Sequence, residues 1–148
     1  MRLLASTDYA LRILILLAAE PPGEPRSVEA LASDLGGLSR HHLHKVVQNL
    51  ANLGVVRTQR GTGGGVLLAV APAELRLGEL VRRLEAGQAP VECFRDDGGA
   101  CTLTEGCRLK GMLGTAWRAF LASLDAHTLA DLQLRKPTIT RAHDTPCP

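Results

Sequence analysis

The stretch SRHHLHKVVQNLANLGVVRTQRGTGGGVLLAV, residues 39–70, decides the fold of this chain. Its first half predicts a helix, because Ser39 is a favourable N-terminal cap and Gly54 is a favourable stop. Between them, apolar residues recur at helical spacing: Leu43, Val46, Val47, Leu50 and Leu53. The opposite face is polar, with His44 on its flank, and consists of His41, Lys45, Gln48 and Asn52. The helix is therefore predicted to present a basic, hydrogen-bonding face to solvent.

The second half of the stretch predicts a β-hairpin. Two runs rich in strand-forming residues, 55–60 and 66–70, flank the turn Gly61-Thr62-Gly63-Gly64-Gly65. A phosphate-binding loop is the alternative for such glycines, but no Gly-Lys-Ser/Thr follows and the next segment is a strand. A hairpin with a basic tip directly after a helix is typical of the wing of a winged helix.

Two helices are predicted upstream of this stretch. Ser27 can cap a helix that ends at the turn Gly36-Gly37, and two helices joined by such a turn have the shape of a helix-turn-helix. Thr7 is expected to cap the first helix, which runs to about Ala19 and is ended by the proline-rich segment 21–25.

The charge distribution favours a nucleic-acid partner. The formal net charge is only +2, yet no acidic residue lies between Asp34 and Glu74. That segment contains Arg40, Lys45, Arg57, Arg60 and three histidines. Such a local basic surface is what a contact with DNA requires, although a solvated charged face fits this observation equally well.

Composition limits the class of protein. With 45% hydrophobic but only 3% aromatic residues, the core must be aliphatic, which suits packed helices. The longest apolar run, Ile13–Ala19, is shorter than the roughly 20 residues of a membrane span. A signal peptide is not expected, because Asp8 and Arg12 interrupt any longer apolar segment that would include this run. We expect no membrane association and a cytoplasmic protein, in which thiols stay reduced.

Three of the four cysteines, Cys93, Cys101 and Cys107, lie close together in the sequence. Glycines between them leave the backbone free to wrap around a compact object. A structural zinc site would normally contain a Cys-x2-4-Cys pair, and the wider spacing here favours an iron-sulfur cluster. Three thiolates leave one ligand missing. A redox disulfide and inert thiols remain alternatives.

A long amphipathic helix is predicted after the cysteines. Its apolar stripe consists of Leu109, Met112, Leu113, Ala116, Trp117, Phe120, Leu121 and Leu124. The stripe could belong to the core or could pack against a second copy of the chain. A shorter helix is predicted over about 77–85, and the proline-containing tail, 137–148, is expected to be disordered.

In these features the chain resembles the family of winged-helix regulators that includes the iron-sulfur regulator IscR and the nitric-oxide-sensing repressor NsrR. The resemblance covers Leu3 to about Leu134. The stretches that carry it are TDYALR (7–12), SRHHLHK (39–45), RGTGGG (60–65), CRLK (107–110) and LDAHTLADL (124–132). The NsrR branch is most similar, because IscR-like members have a histidine where this chain has Lys110.

The resemblance implies a mainly α fold with a small β-hairpin. It also implies a winged helix-turn-helix DNA-binding domain (1–72) and a cluster-binding loop with a long C-terminal dimerisation helix (73–136). Each subunit of the homodimer would carry one cluster, [4Fe-4S] rather than [2Fe-2S], bound by Cys93, Cys101 and Cys107. The seven-residue gap between the first two cysteines is longer than expected for the family.

Asp8 stands where some NsrR-like proteins take the fourth ligand from the partner subunit. An acid in the first turn of a helix also stabilises the helix dipole by roughly 0.3–1 kcal/mol, and the two roles are compatible. His127, Cys147 and solvent are the alternative fourth ligands.

On a palindromic operator, the third helix is expected to enter the major groove and the wing tip the minor groove. The candidate contacts are Arg40, His41, His44, Lys45, Gln48, Arg60 and Thr62. The family resemblance implies a repressor, not an enzyme, that releases double-stranded DNA when nitric oxide nitrosylates the cluster. One alternative is a related regulator of iron, cluster status or redox state. The other, a small iron-sulfur electron carrier, leaves the acid-free segment unexplained.

Overall fold

The computed structural model describes residues 3–103 and 106–132 of the chain. Within these residues there are five α-helices and one two-stranded antiparallel sheet. Their bounds are α1 Ala5–Ala18, α2 Val28–Asp34, α3 Arg40–Asn52, β1 Val56–Gln59, β2 Gly65–Leu68, α4 Leu77–Leu84 and α5 Arg108–Asp125. Short 3-10 helices occupy Pro72–Glu74, Glu92–Phe94 and Leu129–Leu132. The predicted fold class, mainly α with a small hairpin, is confirmed.

Two of the three predicted helix caps are confirmed. The hydroxyl oxygen of Ser27 accepts a hydrogen bond from the backbone N–H of Ala30 at 3.1 Å, and that of Ser39 accepts one from His42 at 3.4 Å. Each satisfies a donor that the first turn of a helix leaves without a partner. The turn residue Gly54, with φ of +72°, ends α3 as expected.

The prediction that Thr7 caps the first helix is wrong. Helix α1 begins earlier, because the backbone N–H groups of Thr7 and Asp8 donate to the carbonyl of Leu4 at 3.0 and 3.1 Å. No side chain caps this end. Thr7 lies inside the helix and is only 1% exposed, since it faces the core.

The wing is anchored to the helices through Arg26. In the hairpin, Val56 pairs with Leu68 and Gln59 with Gly65. The backbone of Arg26 adds a bridge to Val66, with N–O distances of 2.8 and 2.9 Å. A β-carbon on Gly65 would lie 2.3 Å from the Arg26 carbonyl oxygen, so only glycine permits this close pairing.

One hydrophobic core joins the N-terminal helices to the C-terminal segment. Its fully buried aliphatic residues include Ile13, Leu14, Leu31, Leu43, Leu50, Val55, Val66, Leu80 and Leu129. The last of these returns to the core after α5, because its N–H donates to the carbonyl of Leu75 at 2.9 Å. The 3-10 helix Leu129–Leu132 thereby packs against both the 3-10 helix Pro72–Glu74 and α1.

Helices α4 and α5 pack very closely at Gly78. A β-carbon there would lie 2.5 Å from the Leu121 carbonyl oxygen and 2.3 Å from a carboxylate oxygen of Asp125. That carboxylate pairs with Arg82 of α4.

The tail 137–148, with Cys147, lies outside the described residues. None of the described helices is long and apolar enough to cross a membrane.

Candidate DNA interface and cysteine loop

The predicted DNA-contacting side chains of α3 lie on one exposed face. They are Arg40, His41, His44, Lys45 and Gln48. The opposite face is fixed in the core by Leu43, which is fully buried, and Val46, which is 5% exposed. The helix can therefore offer its polar face to a ligand without disturbing the fold.

Arg40 has an intramolecular partner in Glu29 of α2. Their nearest side-chain N–O distance is 3.4 Å, and the side chains are 71% and 60% exposed. An exposed ion pair of this kind contributes about 0–1 kcal/mol. Arg40 can exchange it for a phosphate at little cost.

Arg60 and Thr62 lie at the exposed tip of the wing. The turn is closed by a hydrogen bond from the N–H of Gly64 to the carbonyl of Gly61 at 2.9 Å. A β-carbon on Gly64 would lie 2.3 Å from the Gln59 carbonyl oxygen. This glycine is therefore needed for the tight turn, at which both polar side chains are exposed.

Sequence reasoning missed the role of the Arg26 side chain. Its guanidinium pairs with the carboxylates of Glu20, after α1, and Asp34, at the end of α2. The three side chains are only 18%, 28% and 17% exposed. Arg26 thus ties α1, α2 and the wing together. Acidic residues six and eight positions away gave the only sequence signal, and nothing in their spacing marks a shared site.

A second missed residue, Arg83, connects α4 to α3. Its guanidinium donates a hydrogen bond at 2.5 Å to the carbonyl oxygen of Leu53, the C-terminal cap residue of α3. A cation at this position also interacts favourably with the helix dipole. The C-terminal end of the predicted DNA-reading helix is therefore held by the helix that packs on α5.

The three clustered cysteines occupy different local structures. Cys93 lies in the 3-10 helix Glu92–Phe94, Cys101 lies in the following loop, and Cys107 is the N-cap residue of α5. All three are partly buried thiols. Among the described residues, no three His, Cys, Asp or Glu side chains meet as a ready metal-binding group.

A network of polar contacts within residues 92–100 shapes the loop between Cys93 and Cys101. Arg95 donates to both carboxylate oxygens of Asp97, at 2.9 and 2.5 Å, and the N–H of Gly99 donates to the same carboxylate at 3.0 Å. The Arg95 hydrogen bond, followed by that of Gly99, holds the pKa of Asp97 below its usual value. A carboxylate oxygen of Glu92 accepts from the N–H of Ala100 at 3.0 Å. The segment between Cys93 and Cys101 is therefore folded back on itself.

Asp8 lies in the first turn of α1, as predicted. Both of its carboxylate oxygens contact the Arg12 guanidinium, at 3.0 and 2.9 Å. The two side chains are 48% and 57% exposed, so this pair contributes only about 0.3–0.5 kcal/mol. Asp8 can leave Arg12 for a stronger partner.

The alternative ligand His127 is held in the segment that follows α5. Its Nδ1 lies 4.0 Å from a carboxylate oxygen of Asp131. Hydrogen bonds from the N–H and then the hydroxyl of Thr128 hold the pKa of Asp131 below its usual value, and His127 adds a smaller effect. The nearest acidic partner of His127 is thus already fixed by Thr128.

Most of the apolar stripe of α5 is not buried within the chain. Of the 18 residues of this helix, only Leu121 is buried. Leu109 and Met112 are 59% and 60% exposed. Trp117 and Phe120 stack with ring centroids 5.3 Å apart, yet both stay partly exposed. Exposed apolar side chains that recur along one helix are typical of an interaction surface.

The family model for Rrf2, the iron-dependent transcriptional regulators, matches residues 3–134. The chain belongs to the Rrf2 family. The HTH-type transcriptional regulator NsrR of Bacillus subtilis (strain 168) is 43% identical over 141 residues, which cover 95% of this chain and 96% of that protein. NsrR of Geobacillus kaustophilus (strain HTA426) is 45% identical over 132 residues, or 89% of each chain.

A solved structure, that of CymR (YrzC), the global cysteine regulator of B. subtilis, superposes with a TM-score of 0.68 and 30% identity. The match covers 89% of this chain and 95% of that one. The resemblance predicted from the sequence is confirmed, and the chain is an Rrf2-type transcriptional regulator.

Proposed function

We propose that this regulator is a cytoplasmic, cluster-dependent repressor that responds to nitric oxide. The observation that carries the proposal is that one fold contains both three partly buried thiols and a winged helix with an exposed basic face. An electron carrier would need the thiols but not the basic face. The sequence identity of 43% and 45% with two NsrR proteins, over most of the chain, supports the same function.

The donor set fits an iron-sulfur cluster, since thiolates are the ligands that such clusters prefer. Cys93, Cys101 and Cys107 would hold one cluster per subunit, [4Fe-4S] rather than [2Fe-2S]. The bound cluster supplies iron with which nitric oxide reacts. A carboxylate matches iron of this kind less well than a thiolate does, so Asp8 of the partner subunit would provide the most easily displaced ligand.

The exposed apolar surface of α5 would form the homodimer interface. Two copies of α3 would then face a palindromic operator, with half-sites about 34 Å or a multiple apart. A ligand donated by Asp8 across the dimer would connect the cysteine loop of one subunit to α1 of the other. Losing that connection would change the spacing of the two α3 helices and so release the DNA.

The test is anaerobic purification followed by absorbance spectroscopy and native mass measurement, with operator binding assayed during titration with nitric oxide. We expect a cluster in each subunit and loss of operator binding as nitric oxide is added. Parallel titrations with oxygen and with an iron chelator identify a regulator of redox state or iron supply. A cluster-containing protein that bound no promoter would indicate an electron carrier instead.

Replacing Lys45 or Arg60 with alanine should weaken operator binding. If the side chain contacts only phosphate, affinity should fall equally on operator and random DNA. The slope of log affinity against log salt concentration should then become shallower by about one. If it reads a base, the loss should be roughly 1–3 kcal/mol and specific to the operator. Fluorescence anisotropy over a range of salt concentrations measures both effects.

Arg118→Ala is the matched control for these variants, because it removes one exposed positive charge from α5. All three variants should keep their cluster. Unchanged operator affinity in both Lys45→Ala and Arg60→Ala would refute the proposed DNA interface.

Replacing Asp8 distinguishes a ligand from a helix-stabilising acid. If Asp8 ligates iron across the dimer, Asp8→Ala should change the absorbance spectrum, and Asp8→Cys should slow the reaction with nitric oxide in anaerobic stopped-flow experiments. If Asp8 only stabilises α1, each change should cost less than about 1 kcal/mol, with spectrum and rate unaltered. Wild-type spectra and rates in both variants would eliminate Asp8 as a ligand.

A further inference from the structure

The loop between Cys93 and Cys101 has its own polar framework. We call the side chains of Glu92, Arg95 and Asp97 the loop clasp, since together they bind two backbone N–H groups at the far end of the loop. Asp97 binds that of Gly99 and Glu92 that of Ala100, each at 3.0 Å. Arg95 lies between the two acids, 3.7 Å from Glu92 and 2.5 Å from Asp97.

The clasp brings the two ends of the loop together. Glu92 directly precedes Cys93, and Ala100 directly precedes Cys101, so the hydrogen bond between them joins the immediate neighbours of the two cysteines. The backbones also touch, because a β-carbon on Gly99 would lie 2.4 Å from the Glu92 carbonyl oxygen. Seven residues separate the cysteines in sequence, but their chain segments lie side by side.

We propose that the loop clasp positions Cys93 and Cys101 as a pair before any ligand binds. The inference rests on the proposed cluster-binding function and adds Glu92 and Gly99 as positioning residues. Closing a longer flexible loop around a ligand costs more conformational entropy than closing a shorter one. A loop already ordered by its own hydrogen bonds avoids most of that cost on binding. Cys107 is positioned independently by α5.

The clasp differs from a cluster ligand in chemistry. Glu92 acts through the acceptor oxygen that binds the N–H of Ala100, and a glutamine side chain offers the same acceptor. Gly99 acts because it has no β-carbon. Glu92→Gln should therefore preserve the pairing of the cysteines, whereas Glu92→Ala and Gly99→Ala should loosen it.

Gly98 and Asp96 supply matched controls for these changes. Gly98 and Gly99 both have positive φ, +81° and +55°, so alanine strains the backbone at either position. At Gly98, however, the added β-carbon would meet no atom within 4 Å. Asp96→Ala removes a neighbouring acid that makes no hydrogen bond or ion pair within the part of the chain that the structure describes.

The first measurement uses the cluster-free protein, in a Cys147→Ala background, treated with diamide under anaerobic conditions. Diamide takes up two protons and two electrons and becomes a hydrazine as two thiols become one disulfide, and mass spectrometry of peptides identifies which cysteines are joined. In the wild type, Cys93–Cys101 should form faster than either bond to Cys107. In Glu92→Ala its rate should fall roughly threefold to tenfold, as expected for the loss of one hydrogen bond.

Gly99→Ala should slow this bond as well, whereas Gly98→Ala, Asp96→Ala and Glu92→Gln should leave its rate within about twofold of wild type, since the hydrogen bond is kept. The second measurement is the rate at which a chelator removes iron from the loaded protein. The rate of iron removal should rise in Glu92→Ala and Gly99→Ala by a similar factor, while their initial absorbance spectra stay the same as that of the wild type.

The outcomes separate this proposal from the proposed function. Equal disulfide rates in wild type, Glu92→Ala and Gly99→Ala would refute the clasp even if every protein carries a cluster. A wild-type protein that holds no iron would refute the cluster-binding function, and the disulfide rates would still test the pairing. An effect of Gly98→Ala as large as that of Gly99→Ala would show that backbone strain alone is responsible, and would also refute the clasp.

Discussion

Replacing Cys93, Cys101 or Cys107 with alanine is expected to remove the cluster from the anaerobically purified protein. Each change leaves two thiolates, which are too few to hold a cluster that already requires a fourth ligand from elsewhere. Because metal sites of this kind lose affinity steeply with each ligand removed, iron and sulfide contents should fall to background. Operator affinity should fall to that of the cluster-free wild type.

Cys147→Ala is the matched control and should keep its iron, its spectrum and its operator affinity. Circular dichroism on all four variants separates loss of the cluster from loss of the fold, and we expect similar melting curves for the cluster-free proteins. If any one of the first three variants retains wild-type iron, that cysteine does not belong to the site.

Replacing Arg26 with leucine should produce the largest loss of stability. The change leaves the carboxylates of Glu20 and Asp34, only 28% and 17% exposed, without their positive partner. Removing one member of a largely buried ion-pair network costs about 3 kcal/mol, which corresponds to roughly 10 °C in Tm for a domain of this size. Thermal or urea unfolding of the cluster-free protein measures it.

Arg40→Leu is the matched control, since Arg40 also pairs with an acid but is 71% exposed. It should change stability by less than about 1 kcal/mol. Adding Glu20→Gln and Asp34→Asn to Arg26→Leu removes the uncompensated charges and should restore part of the loss. Equal stabilities of Arg26→Leu and Arg40→Leu would show that Arg26 does not hold the elements together.

Local sequence signals predicted most of the elements. Ser27, Ser39 and Gly54 mark helix ends through hydrogen bonds or backbone conformation within a few residues, and such signals can be read from one sequence. The prediction for Thr7 was wrong because it relied on such a local signal alone. It looks like a cap, but its position in the core is decided by packing, because α1 must bury the face on which it lies.

Long-range polar contacts could not be predicted in this way. Arg26 and Arg83 look like ordinary surface cations, and each acquires its role from a partner on another element. The donor residues proposed for the candidate site could be named from the sequence because thiols and a carboxylate are recognised by type, and their role as ligands stays a prediction. How the loop clasp folds the segment between Cys93 and Cys101 depends on contacts that no spacing rule contains.

The close contact at Gly78 has a mechanical consequence. Because there is no room for a β-carbon between α4 and α5, we expect the two helices to resist sliding past each other and to tilt together as one unit. Helix α5, with 18 residues, is about 27 Å long, so a tilt of about 5° at Cys107 moves its far end by roughly 2 Å. Arg83 lies on this unit, and its guanidinium donates to the carbonyl oxygen of Leu53 at the end of α3. We therefore expect a displacement too small to unfold the cysteine loop to be amplified before it reaches α3, the helix predicted to face DNA.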